Sequence, residues 1–176
     1  MTETVIRIPM LETERLRLRA PVASDFEPYA EFCASERSSK IGGPFTRDQA
    51  FVQLAELVGH WPLRGFGRWV VADKKTAEPF GVVALMRPEA WPEPEIAWKV
   101  FANAEGKGIA MEAAIESRRY AYEVLGWSTV ISATRSDNIR SAALAQRMGA
   151  TQDGSFEHPD YGTLNIFRHL PPEALQ

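Results

Sequence analysis

The chain has 176 residues, 45% of them hydrophobic, with 20 basic against 23 acidic side chains and a formal net charge of −3. That length suits one domain, expected over residues 1–176, with a substantial core; its interspersed charges leave no broad basic field of the kind that nucleic acid or an anionic membrane requires. A lone cysteine, Cys33, excludes an internal disulfide framework and a cysteine-based zinc cluster, no apolar run is long enough to span a bilayer, and the start from Met1 to Val5 lacks a secretion-signal pattern, so the cytoplasm is the expected compartment.

Residues 15–19 alternate leucine with arginine, the period-two pattern of a half-buried strand. Ser24-Asp25-Phe26-Glu27 and Thr46-Arg47-Asp48-Gln49 both have capping-box spacing, which predicts helix starts at both places. Cys33 falls in the first of these helices and reads as a small helix residue, since no histidine lies near it in sequence. Residues 68–72 and 80–86 read as strands joined across Asp73-Lys74-Lys75, and Pro88, Pro92 and Pro94 punctuate the loop before a strand from Glu95 to Phe101. A helix is predicted over 109–125, where apolar and small residues recur three to four apart and Gly126 closes the run. A strand over 129–133 follows, then a helix capped by Asp137 or Asn138 and ended by Gly149, and a last strand over 163–170. The predicted order, β, α, α, β, β, β, α, β, α, β, β, is of the α/β class with a central sheet. Trp61, Trp91 and Trp127 read as core or loop packing.

Glu105-Gly106-Lys107-Gly108-Ile109-Ala110 joins the strand from Glu95 to the long helix and carries the strongest chemical signal. The first turn of a helix leaves backbone N–H groups unpaired and gathers partial positive charge, so an anion fits there. Glycines at 106 and 108 let the backbone approach a ligand, and Ala110 keeps the next exposed position small. A tight turn before a helix accounts for Gly-x-Gly equally well. A dinucleotide fingerprint would need glycine where Met111 stands, and a Walker-type loop would need Gly-Lys-Ser/Thr in place of Gly108-Ile109-Ala110.

The stretch 105–110 resembles Gln/Arg-x-x-Gly-x-Gly/Ala, the pyrophosphate-binding signature of the GNAT superfamily of acyl-CoA-dependent N-acetyltransferases. The likeness extends further. Leu11-Glu12-Thr13-Glu14-Arg15-Leu16-Arg17-Leu18-Arg19 resembles the opening strand of the branch similar to ribosomal-protein N-terminal acetyltransferases, and Glu95-Ile96-Ala97-Trp98-Lys99-Val100 resembles its fourth strand. Asn138-Ile139-Arg140-Ser141, with the apolar helix ending at Met148-Gly149, resembles its Asn-x-x-Ser element. Two positions depart from the pattern: Glu105 stands where Gln or Arg is common, and Ala150 where an aromatic residue often follows the glycine. Beside a pyrophosphate, Glu105 would have to face solvent or pair with a cation such as Lys107, leaving most of the binding to the backbone.

The resemblance implies a central mixed β-sheet flanked by helices and an acetyl-CoA-dependent transfer to a primary amine, made directly in a ternary complex with no metal. The acceptor is either a protein N-terminal amine or a small-molecule amine, and a non-catalytic acyl-CoA sensor is the alternative from another class. Enzymes of this branch are often monomers or dimers, so a homodimer is compatible. Such a reaction needs a neutral amine, a stabilised oxyanion and a proton for the departing thiolate. By resemblance, Gly106, Lys107, Gly108, Ile109 and Ala110 bind the pyrophosphate, the free edge at Trp98 and Val100 pairs with the pantetheine arm, and a backbone N–H near Trp98 faces the thioester oxygen. Glu95, the carboxylate of the central strand, is the candidate general base; a solvated strand-end glutamate is the plain alternative. Glu157, His158 and Asp160 form a second charged cluster, expected in the loop before the last strand. Asn138 and Ser141 lie one helical turn apart on one face. Asn138 would hold the pantetheine or its neighbouring backbone. Many members use a tyrosine later on this helix as the acid; here Ala142, Ala143 and Ala145 follow, which points to Ser141.

Overall fold

The computed structural model describes residues 3 and 5–175; Met1, Thr2 and Thr4, part of the segment read for a secretion signal, lie outside the described residues. Strands β1 (Leu11–Glu12), β2 (Leu16–Arg19), β3 (Arg68–Asp73), β4 (Pro79–Met86), β5 (Glu95–Val100), β6 (Ile131–Arg135), β7 (Thr151–His158) and β8 (Gly162–Arg168) form one mixed sheet in the order β1-β2-β3-β4-β5-β6-β8-β7. Helices α1 (Phe26–Ala34), α2 (Arg47–Arg64), α3 (Ile109–Glu123) and α4 (Ile139–Arg147) cover it.

Period two decides which side chains each helix meets. Leu16, Leu18, Trp69, Val83, Leu85 and Ile96 lie in one core with Ile109 and Ala113 of α3 and Leu144 of α4. Val70, Val82 and Phe101 point the other way, into a second core with Tyr29 of α1 and Leu57 of α2. Fully burying a leucine-sized side chain stabilises by roughly 1.5–3 kcal/mol, so two such layers fix the faces of the central strands firmly.

Several predicted boundaries change. The opening strand is two strands, because Thr13 turns the chain: its N–H donates to the Leu16 carbonyl at 3.0 Å and its hydroxyl accepts from the Leu16 N–H at 2.9 Å. Ser24 does not cap α1; a 3₁₀ turn over Ala23–Asp25 intervenes, in which the Asp25 carboxylate accepts from the Val22 N–H at 2.8 Å and pairs with Arg19. The Thr46 box forms as expected, with Gln49 N–H donating to the Thr46 hydroxyl at 3.2 Å and Thr46 N–H to the Gln49 side chain at 2.8 Å. Glu157 and His158 end β7 instead of lying in a loop, and Asp160 occupies the turn into β8.

The feature that positions the site is a parting of strands. β4 and β5 pair antiparallel along their whole length, whereas β5 and β6 run parallel and share one register pair, Glu95 with Ile131. Beyond that pair β5 and β6 diverge.

Candidate active site

Gly108 is the N-cap of α3 with φ +76, and Gly106 two residues earlier has φ +72. Only glycine adopts this left-handed region without steric penalty, which is why the loop is written with these two residues. A Cβ at Gly106 would meet nothing within 4 Å, and one at Gly108 would meet only the tip of Arg15 at 3.5 Å. The outer side of the loop at both glycines is therefore open, next to the unpaired N–H groups that any helix start presents. Arg15 braces it from behind, donating to the Lys107 carbonyl at 3.0 Å and pairing with Glu112 of α3 at 2.6 Å. Ile109 turns its side chain into the core, so only its N–H is available, while Lys107 is exposed. Glu105 pairs with Arg37 and Arg140, not with the expected Lys107; hydrogen bonds from Arg37 and then Arg140 hold its carboxyl below the usual range.

Downstream of Glu95, one backbone edge of β5 is free. The Phe101 N–H donates to the Phe80 carbonyl, and ladder alternation then directs the backbone groups of residues 95, 97 and 99 to β4 and those of 96, 98 and 100 toward β6. The Ile96 carbonyl accepts from the Ser132 hydroxyl at 2.7 Å; Trp98 and Val100 come after the strands have parted. Arg37 reaches the Val100 carbonyl at 3.4 Å. Across the gap stands the start of α4, where the Asn138 side chain accepts from the Ser141 N–H at 3.3 Å and so caps the helix. The cap is Asn138; Asp137 instead pairs with Lys40 and Arg135.

The gap opens into a cavity of about 450 Å³. Glu95, Trp98, Asn138 and Ser141 all line it, so four of the expected residues meet around one space. Val100 and the 106–110 loop lie outside the lining, farther along β5 and at the start of α3.

Glu95 is not a solvated strand-end residue: it is 3% exposed. Its carboxylate stands where the β5–β6 ladder stops, accepting from the Ala133 N–H at 2.8 Å and from the Trp91 indole N–H at 2.5 Å. Burial pushes its pKa up to about 7, against the lowering effect of the Ala133 N–H, then Trp91, then the Arg68 charge. A carboxylate titrating near neutrality beside an open cavity can take a proton from an ammonium group.

Trp91, read from the sequence as packing, belongs to this site; its ring also stacks edge-on against His158 at 4.9 Å. Arg68 and Lys99 line the cavity too and were not anticipated. Lys99 donates to the Tyr29 hydroxyl at 2.9 Å and the Gln53 side chain at 3.0 Å, and burial, then the Arg68 charge, brings its pKa down to about 8. Strand alternation, which sets Lys99 on the same face as Glu95, was the available signal. Among the described residues no cluster of histidine, cysteine and acidic side chains could hold a metal ion.

A glycine loop at a helix start, a strand with a free edge and a buried carboxylate in the gap lie in sequence along β5 and into α3. The family model for the acetyltransferase (GNAT) domain matches residues 15–151, and the chain belongs to that family. It is an acyltransferase using acetyl-CoA. It is similar to the acetyltransferase from Agrobacterium tumefaciens, with 32% identity and a TM-score of 0.85 over 96% of this chain and 98% of that one. It is 28% identical over 164 residues to the FsC-acetyl coenzyme A-N(2)-transacetylase of Aspergillus fumigatus, spanning 87% of this chain and 69% of that protein. The ribosomal-protein-S5-alanine acetyltransferase from Vibrio fischeri shares the fold, at 17% identity and a TM-score of 0.69 over 94% of this chain and 98% of that one.

Proposed function

We propose that the chain is an N-acetyltransferase that moves the acetyl group of acetyl-CoA directly to a primary amine within a ternary complex. The observation that carries this reading is Glu95: a buried carboxyl, brought to about 7 by desolvation, at the point where the β5 edge becomes free. Acetyl-CoA supplies an activated acyl group and a thiol leaving group. N–H groups of residues 106–110 hold its pyrophosphate with help from Lys107, and the backbone of Trp98 and Val100 pairs with its pantetheine arm. The Trp98 N–H faces the developing oxyanion. Glu95 accepts the proton of the amine, directly or through a water, and Ser141 gives one to the departing sulfur. Asn138 fixes the start of α4, and with it Ser141, against the pantetheine. Cys33, fully buried in α1, lies outside the cavity lining, in keeping with direct transfer.

A nitrogen acceptor agrees with the N(2)-transacetylase named for the A. fumigatus relative. The cavity has room for a small amine or for the first residue of a peptide. Cytoplasmic action is part of the proposal; among the described residues no helix is long and apolar enough to cross a membrane. The test is thiol release from acetyl-CoA against a panel of primary amines and N-terminal peptides. Amine-dependent release is expected. Tight acetyl-CoA binding by calorimetry with no release above hydrolysis for any amine would overturn transfer in favour of a sensor.

A further inference from the structure

Two cations face the acceptor cavity with no carboxylate in hydrogen-bond contact. Arg68 on β3 is opposite Ala84 on β4, which is opposite Ala97 on β5, so one line across the sheet is an arginine followed by two methyl groups. Ala97 is flanked along β5 by Glu95 and Lys99, whose side chains share its face. The two alanines leave a trough that runs along β5 from Glu95 to Lys99, with Arg68 on the alanines' row two strands away, and all five residues line the cavity.

The cations are under-compensated. The nearest carboxylate to Arg68 is Glu56, whose Oε2 stands 3.8 Å from Nη1 on a side chain 56% exposed, and the buried Arg68 Nε has no hydrogen-bond partner. Lys99 is held by two neutral oxygens, those of Tyr29 and Gln53. Of the other charged groups lining the cavity, Lys40 and Arg135 are both occupied by Asp137, and Asp160 is exposed at the β7–β8 turn. Glu56 also lines the cavity, so two cations withdrawn from water share one half-exposed carboxylate that bonds neither directly, an unfavourable balance, and the planar guanidinium fork is shaped for a carboxylate. The Glu95 end of the trough suits a cation: the carboxylate is walled by Trp91, His158 and Tyr161, with ring centroids 4.9 Å apart for Trp91 and His158 and 4.6 Å for His158 and Tyr161.

We propose that the acceptor is a small primary amine bearing a carboxylate, with the carboxylate bound by Arg68 and Lys99 and the amine directed at Glu95. This deepens the N-acetyl transfer proposed above and rests on it. The lowered pKa of Lys99 agrees with a site that awaits an anion.

The test compares matched acceptors by thiol release: free α- and ω-amino acids, their amides, the corresponding decarboxylated amines, aminophosphonates, and peptides with a free N-terminus. The acids should exceed their amides and decarboxylated amines by at least about tenfold in kcat/KM, chiefly through KM, as charge-assisted hydrogen bonds to a carboxylate imply. Arg68→Gln should bring that ratio to within about twofold, and Arg68→Lys should restore part of it. Independently of turnover, the Lys99 side-chain resonance should titrate at higher pH when the N-acetyl amino acid product of the best acceptor saturates the protein. Transfer to plain amines, amides or peptides with no preference for the free acids would overturn this inference and leave the transfer reading intact, as would a preference for phosphonates. No transfer to any amine by a protein that binds acetyl-CoA would end both.

Discussion

Glu95 is pulled in two directions: burial favours the protonated form, while the Ala133 N–H and the Trp91 indole favour the carboxylate. The balance near 7 gives a base that is roughly half ready at neutral pH. Because the carboxylate is the active form, kcat should rise with pH through about 7 and level off above it. Glu95→Gln should lower turnover by about 10²–10⁴-fold, remove that limb and leave acetyl-CoA affinity nearly unchanged. A loss below about threefold would move the base elsewhere, with His158 and Asp160 the next places to look. Ser141 and Asn138 separate in a comparable way. Asn138→Ala should weaken acetyl-CoA binding and lower stability by about 1 kcal/mol, since it removes the α4 cap. Ser141→Ala should leave stability nearly as it was and slow single-turnover transfer, with much of the rate returning for a thioester whose thiol is more acidic. Equal slowing with both donors would show that the hydroxyl only positions the sulfur.

At the scale of elements, the 106–110 loop was legible because its glycines are required by backbone geometry: φ is +72 and +76 at 106 and 108, and no neighbouring contact imposes the choice. Gly108→Val should abolish acetyl-CoA binding measured by calorimetry while circular dichroism remains that of a folded protein. Gly154→Val is the control. That glycine is in β7 with φ +89 and open space around it, so it shares the backbone strain, roughly 1–2 kcal/mol, without facing the ligand. Loss of binding in both variants would point to strain instead of the loop. β5 was legible for a related reason, since Glu95, Ala97 and Lys99 alternate with Ile96 and Trp98. What alternation could not say is which face would be core and which cavity. That depends on α1 and α2 packing on Val70 and Val82, a contact distant in sequence, and so Arg68 and Lys99 went unread. Trp91 was missed for the same reason, its ring partners Phe156, His158 and Tyr161 being distant in sequence. β7 carries mostly exposed polar residues, so although the predicted order ends in two strands no apolar rhythm fixed the bounds of the first, and Glu157 and His158 were assigned to a loop.

Across the whole molecule two buried groups oppose one another in acid. His169, 2% exposed between Ser132 and Arg118, has its pKa lowered from 6.5 to about 4 by burial and then by the Arg118 charge. Between these values the unfolded chain binds the extra proton, so this group withdraws stability as pH falls from 6.5 toward 4. Glu95, raised from 4.5 to about 7, does the reverse: the folded protein holds the proton, and stability grows as pH falls from 7 toward 4.5. Each slope reaches at most about 1.4 kcal/mol per pH unit, and they overlap between 4.5 and 6.5. Denaturant unfolding should therefore show little net change from this pair across that interval. Glu95→Gln should expose a decline in acid and His169→Gln a gain; parallel profiles for all three proteins would refute the compensation.

The single register pair between β5 and β6 also bears on when during synthesis the catalyst comes into being. β6 has little hold on the sheet until β8 pairs with it along five residues, and Arg168 of β8 ties down the proline loop through Glu93. A nascent chain whose last translated residue is near 150 has its glycine loop and both helices of the carrier side, yet lacks Tyr161, His158 and the strand that holds β6 beside the gap. These partners are made last, after the whole of the glycine loop, α3 and α4. The carrier side can thus assemble while the acceptor side waits for the β7–β8 hairpin, so a partly made chain would bring acetyl-CoA no competent amine.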